Sequence, residues 1–225
     1  FRRNVMKKFI LPLLLILTVG MLAAVESEPS EVVGYFKLTA ASNSWSPLSL
    51  PFDYTDLSVG NVLGDFLNDD AIYDIATSSS SVYYEGFGWF GDLVNLEYGK
   101  VYWINRIETN PTFNYYILGK VDPNPVTVTF SGYGWTPFAL NEATNIPLSS
   151  LTFSGAVDGD EIYDISTMAS TVYYEGYGWF GDLENIEPTH GYWYNRVGAA
   201  GYTWTYTPTR SNNNVKNQYR SRKVK

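Results

Sequence analysis

The residues best equipped for chemistry form two matched ten-residue segments. One is Tyr83-Tyr84-Glu85-Gly86-Phe87-Gly88-Trp89-Phe90-Gly91-Asp92; the other is Tyr173-Tyr174-Glu175-Gly176-Tyr177-Gly178-Trp179-Phe180-Gly181-Asp182. Each sets aromatic rings and carboxylates around glycines, which permit a tight, bent strand-loop-strand. Tyr and Trp faces can stack on sugar rings while Glu and Asp accept hydroxyl hydrogen bonds. On that reading Tyr84, Glu85, Trp89, Asp92, Tyr174, Glu175, Trp179 and Asp182 bind a glycan, and Trp89 and Trp179 are accessible to solvent. The competing reading is structural: alternate aromatics fill the core, and the glycines let strands approach closely.

Other chemistry finds less support. The acids Asp70, Asp74, Glu85, Asp92 and Glu97 recur as Asp160, Asp164, Glu175, Asp182 and Glu187. Asp158-Gly159-Asp160-Glu161 resembles the start of an oxygen-rich calcium loop, so calcium near Asp158 and Asp160 is the one cofactor the ligand types suggest. The first copy reads Asn68-Asp69-Asp70-Ala71 there, and neither copy has the spaced twelve-residue loop; Asp and Gly also make ordinary turns. A glycoside hydrolase needs two carboxylates across a cleft, and no spacing singles out a pair. A module of this size also leaves little room for a deep cleft. A Ser-His-Asp triad would have to use His190, the single histidine, which stands where the first copy has Lys100 and reads as a solvated turn residue. The expectation is a non-catalytic protein.

Composition narrows the field further. The chain of 225 residues has no cysteine and a formal net charge of -8, and 17% of its residues are aromatic. Disulfide frameworks, thiolate metal sites and cysteine nucleophiles are excluded. Between residues 25 and 209 the basic residues are Lys37, Lys100, Arg106, Lys120 and Arg196, against every acid in the chain. So acidic a core argues against nucleic acid as a partner. The remaining basic groups lie at 2–8 and in the tail 210–225, which has no acid and cannot form a packed structure.

What must position these residues is a duplication. Ile72–Arg106 and Ile162–Arg196 align without a gap, and 23 of their 35 positions are identical. Trp45, Trp89 and Trp103 repeat as Trp135, Trp179 and Trp193. Two β-rich modules follow, 31–120 and 121–209, joined at the proline-containing Val121–Pro125. Period-two runs such as Val126–Phe130, Val82–Tyr84, Val101–Arg106 and Tyr115–Leu118 predict strands. Val59, Val62, Leu63, Phe66 and Leu67 share one face of a short helix, echoed by Phe153, Ala156 and Val157. The expected fold class is mainly β, or α+β, each module having five or six short strands and one short helix in the order strand, strand, helix, meander. Before the modules, Met6-Lys7-Lys8 leads into Phe9–Ala24, an apolar run of 16 residues, short of the roughly 20 that span a bilayer. Residues 1–24 therefore read as a signal peptide cleaved near Ala24.

The segments Trp45…Leu50-Pro51, Tyr73-Asp74, Trp89 and Leu96-Glu97-Tyr98-Gly99-Lys100-Val101-Tyr102-Trp103-Ile104 carry a resemblance, as do Trp135…Leu140, Tyr163-Asp164, Trp179 and Ile186-Glu187-Pro188-Thr189-His190-Gly191-Tyr192-Trp193. They resemble the small tandem β-rich repeat of exported bacterial surface proteins, which closes on Leu-Glu-Pro-Gly-x-Gly-Tyr-Trp-Ile. The first copy lacks the Pro and the second Gly of that motif, and the second copy lacks its first Gly. The resemblance implies an extracellular, non-catalytic module and brings no functional residues with it. The sequence thus leads to an exported binding protein for a glycan or a surface protein, secreted, at the cell surface or periplasmic. A structural or assembly subunit of the envelope is the alternative. Membrane contact would come only through an uncleaved signal or the basic tail.

Overall fold

The structure, a computed structural model, describes residues 33–208; the signal-like segment and the basic tail lie outside them. The first repeat runs β1 (Val33–Ala40), β2 (Ser44–Leu48), α1 (Val59–Leu63), β3 (Ala71–Asp74), β4 (Ser80–Tyr84), β5 (Gly88–Gly91), β6 (Tyr102–Arg106) and β7 (Phe113–Lys120). The second runs β8 (Val126–Phe130), β9 (Gly134–Phe138), β10 (Ile146–Pro147), a single 3-10 turn at Leu148–Ser150, β11 (Glu161–Asp164), β12 (Ser170–Tyr174), β13 (Gly178–Gly181), β14 (Asn185–Ile186), β15 (Tyr192–Arg196) and β16 (Tyr202–Tyr206). The protein is mainly β, and the first repeat keeps the expected order; the second has a 3-10 turn in place of the helix, and Phe153, Ala156 and Val157, predicted to echo the helical face, lie outside any helix. Strands exceed the predicted five or six per repeat, partly because β10 and β14 are two-residue pairings that periodicity cannot register.

Each repeat is built on a five-stranded antiparallel sheet, ordered β2-β6-β3-β4-β5 in the first and β9-β15-β11-β12-β13 in the second, plus a two-stranded ribbon, β1-β7 or β8-β16. Side chains alternate across each sheet. Leu48, Ile72, Tyr83, Tyr102 and Ile104 point into the first core, where Val59, Val62 and Leu63 of α1 and Phe66 beyond it cover them. The second core takes the corresponding positions, but its covering segment is the 3-10 turn and a loop through Phe153. Gly155 in that loop lies flat on the Tyr202 ring, so close that an added Cβ would fall 2.3 Å from it.

No sheet of the described residues mixes strands from the two repeats. The repeats meet through backbone instead: Ser49 N–H donates to Thr189 O and Ala139 N–H to Gly99 O, each at 3.0 Å. These bonds join equivalent residues in reciprocal fashion, the signature of a two-fold contact. Val101 packs on Gly191, its own counterpart, which puts the local axis between them. Asn141 breaks the symmetry. Fully buried, it donates to the carbonyls of Leu50 and Phe52 (3.0 and 2.8 Å) and accepts the N–H of Asn124. Its counterpart Pro51 can do none of this.

Candidate functional site

The duplicated aromatic segments form the hairpins β4–β5 and β12–β13, pairing Tyr84 with Gly88, Tyr83 with Trp89 and Val82 with Phe90, and likewise in the second repeat. Gly91 and Gly181 close the hairpins against the neighbouring strand. A Cβ there would lie 2.1 and 2.2 Å from the carbonyl oxygens of Ser80 and Ser170, so no side chain fits. Strand parity then sorts the rings. Trp89 and Trp179 face inward and are half-buried: Trp89 packs on Phe66 and Tyr83, Trp179 on Phe153, Tyr173 and Tyr194. These two rings are thus partly core and partly accessible to solvent.

The remaining candidates are exposed but scattered. Tyr84 and Tyr174 lie on the outer sheet face against Phe90 and Phe180, with ring centroids 6.0 and 5.9 Å apart. Glu85 and Glu175 sit at the hairpin tips, their N–H groups donating to Asn68 Oδ1 and Asp158 Oδ1. Asp92 and Asp182 follow the hairpins and are exposed. Among the described residues the most exposed aromatics are Phe87 (81%) and Tyr177 (82%), at the tips, which the sequence reading did not select.

A second set converges better. On the outer face of the first sheet, Trp45, Tyr73 and Trp103 stand on adjacent strands, with Trp45 5.0 Å from Tyr73 between centroids. Trp135, Tyr163 and Trp193 repeat the arrangement and, with Glu161, line an open groove of about 530 Å³. Trp45 and Trp135 are 52% and 50% exposed, and Tyr84 and Phe90 (Tyr174 and Phe180) extend the same face across β4 and β5 (β12 and β13). The signal was in the sequence. Trp103 and Trp193 fall one strand position from buried Tyr102 and Tyr192, and Trp45 and Trp135 three from buried Leu48 and Phe138, so alternation alone turns them outward.

The second repeat also holds a cleft of about 650 Å³ between the 3-10 turn and hairpin β12–β13, more room than the small module led one to expect. Of the predicted binding residues only Trp179 lines it; Tyr174, Glu175 and Asp182 do not.

The buried recurring acids, Asp70, Asp74, Asp160 and Asp164, have structural partners. Asp70 and Asp160 are buried against Arg106 and Arg196, Oδ2 to Nη1 at 2.6 and 2.5 Å. Asp158 caps the hairpin tip and Asp160 also accepts the Tyr194 hydroxyl at 2.6 Å, so the carboxylates of the calcium reading hold protein groups. Among the described residues no cluster of three or more His, Asp or Glu side chains is placed to hold a metal ion. Asp74 and Asp164 each cap a turn, accepting the N–H groups of Ala76 and Thr77, and of Ser166 and Thr167.

His190 is not the solvated turn residue its neighbours suggested. Its Nδ1 lies 2.9 Å from Asp164 Oδ2 and its side chain is 21% exposed, just as Lys100 Nζ lies 3.0 Å from Asp74 Oδ2. The turn folds back over a buried acid, and each repeat supplies its own base. The hydrogen bond to Asp164 raises the imidazole above its ordinary value despite partial burial, while Glu187 adds to the effect. Burial pushes Asp164 the other way, but the His190 bond and the turn N–H groups hold it below the usual carboxylate range.

The stability from a raised His is complete below its unfolded value near 6.5 and is lost as pH rises through the folded value. That from a depressed Asp is complete above its unfolded value near 3.8 and is lost as pH falls through the folded value. Thermal unfolding followed from pH 5 to 9 should show Tm falling on the alkaline side. His190→Lys should remove that fall, because the amine of Lys100 is itself raised in the same setting; an unchanged slope would refute the pairing.

No protein-family model, curated protein or solved structure matches the chain.

Proposed function

We propose that this is an exported, non-catalytic carbohydrate-binding protein that docks polysaccharide on the outer faces of its two five-stranded sheets. The observation that carries the reading is the row of three aromatic side chains, Trp45–Tyr73–Trp103 and Trp135–Tyr163–Trp193, repeated on an open sheet face. Aromatic rings clustered on an open sheet face, Trp45 and Tyr73 tilted at 52° to each other, offer π-faces to the C–H faces of sugar rings, and the sheet fixes their positions without an ordering cost on binding. Glu161 and Asn195 on the same face offer polar groups for hydroxyls. The cleft lining includes a single carboxylate, Glu184, where two-carboxylate hydrolysis needs a pair. Export rests on the Lys-flanked apolar segment before Ala24.

Co-sedimentation with insoluble cellulose, chitin and peptidoglycan tests the reading. The protein should pellet with at least one, and Trp45→Ala with Trp135→Ala should weaken binding by about tenfold or more, as loss of aromatic anchors does. A protein that pellets with none, yet sediments as a concentration-dependent oligomer, would favour an assembly subunit. Its contact would be the exposed apolar residues of the first ribbon, Val33, Tyr35, Tyr116 and Leu118; the outer face of the second ribbon carries the threonine pairs Thr127–Thr205 and Thr129–Thr203 instead.

A further inference from the structure

The two repeats differ most where the covering segment meets the hairpin. In the first repeat α1 packs over Trp89, with Gly60 against the indole edge, and Trp89 Nε1–H donates to Gly64 O at 2.9 Å. Beside it the buried Tyr83 hydroxyl donates to Asp65 Oδ1 at 3.0 Å. Both donors are thus satisfied within the protein. In the second repeat α1 is replaced by the 3-10 turn at Leu148–Ser150, and Gly155 stands where Asp65 does. The counterparts Trp179 and Tyr173 have no such acceptor among the described residues, and both line the cleft of about 650 Å³. The rest of its wall includes Tyr177, which is largely exposed at the hairpin tip, together with Phe153, Glu184 and Asn185.

We propose that this cleft is a second site, specific to the second repeat, which takes one or two pyranose rings of a neutral sugar. The volume lies within the roughly 300–1,000 Å³ of small-ligand pockets. Both groups face the water of the cleft, and a ligand acceptor would make with them the bonds that the first repeat makes internally. Here the freed groups are an indole N–H and a phenol, which ask for an acceptor, while Glu184 and Asn185 offer acceptors of their own. Sugar hydroxyls donate and accept at once, and the ring C–H faces suit the Trp179, Tyr177 and Phe153 walls. A cation would be served by the aromatic rings and Glu184 but would leave the donors facing like polarity. The sugar class rests on the carbohydrate reading above, whereas the site itself rests on the difference between the repeats.

The test uses the full chain with glucose, galactose, N-acetylglucosamine and cellobiose as probes, read by saturation-transfer NMR and by the indole N–H shifts of the tryptophans. At least one sugar should bind and move the Trp179 indole resonance, assigned from its loss in Trp179→Phe. That variant keeps a ring on Phe153 but removes the donor, and its affinity should fall about tenfold, the worth of one buried hydrogen bond. Trp89→Phe, whose indole is already bonded to Gly64, should bind as the parent does. No binding by the parent, or full affinity in Trp179→Phe, overturns the site. Loss of sugar binding in Trp45→Ala/Trp135→Ala with Trp179→Phe intact also overturns it and leaves the sheet-face reading standing. Sugar binding lost only in Trp179→Phe, with no polysaccharide retained by the parent, upholds the cleft and removes the sheet-face reading.

Discussion

Arg106→Met is expected to destabilise the protein by about 3–5 kcal/mol, the cost of leaving a buried charge without its partner. Arg106 and Asp70 both have fully buried side chains. The guanidinium donates through Nη1 to Asp70 Oδ2 (2.6 Å) and through Nε to Pro111 O (2.5 Å), and it lies 4.2 Å over the Phe113 ring. Methionine can replace the stem but none of these bonds. Asp70 would keep the Leu67 N–H and the Asn110 amide, too little for an ionised carboxylate in the core. Adding Asp70→Asn should recover at least half of the loss, because it removes the stranded charge. Arg196→Met should cost less, since Asp160 retains the Tyr194 hydroxyl and the N–H groups of Val157 and Val197. Urea midpoints of the three variants against the parent decide the matter; equal losses in both repeats would refute the ordering.

Phe130→Ala is expected to cost a further about 3–5 kcal/mol, the usual range for emptying a buried aromatic site. Phe130 is fully buried and stacks on Tyr194 at 4.0 Å between centroids, with Tyr202 at 5.2 Å and Trp204 at 6.3 Å. The first repeat has Ala40 at the same place and is not hollow there. Its Phe66 packs on Phe113 and Tyr115, the residues that answer to Tyr202 and Trp204, while the counterpart of Phe66 is Ala156. In the second repeat β8 thus supplies Phe130 beside Phe153 of the covering loop, whereas in the first the covering segment alone supplies the ring, Phe66. Phe130→Ala with Ala156→Phe should therefore recover part of the loss, and thermal unfolding of the single and double variants measures it. A double variant no better than the single would refute the exchange.

These two cases mark where sequence reading succeeds and where it stops. The repeat, the period-two strands, the helical face of Val59, Val62 and Leu63, and the hairpin at Gly86–Gly88 were all legible, because each is set by local spacing. Parity was legible too, yet it does not say which face is the core. The glycan reading puts Trp89 in the open, whereas Trp89 is half-buried and Trp45 is the more exposed ring. The acids were noticed for recurring, but the partner of Asp70 lies 36 residues away on β6, and sheet order β6-β3 is a tertiary fact. The burial of His190 is hidden from local reading for the same reason: its partner Asp164 is 26 residues distant, brought beneath it by the β11–β15 pairing. The covering segment defeated local reasoning most completely, since the opening beside Trp179 depends on what is missing from the second repeat.

The two-fold contact between the repeats has a consequence for what the chain is free to become. If two separate copies met this way, every residue would be chosen twice, and any side chain that improved one half would have to be tolerable in the other. Asn141 and Pro51 could not both be optimised, because one position would have to donate to carbonyls across the junction and also be proline. Covalent linkage lifts that constraint. Each half can specialise while its twin preserves the shared framework, and an opening can appear beside Trp179 without hollowing out Trp89. The joined pair behaves as a homodimer released from the obligation to be identical.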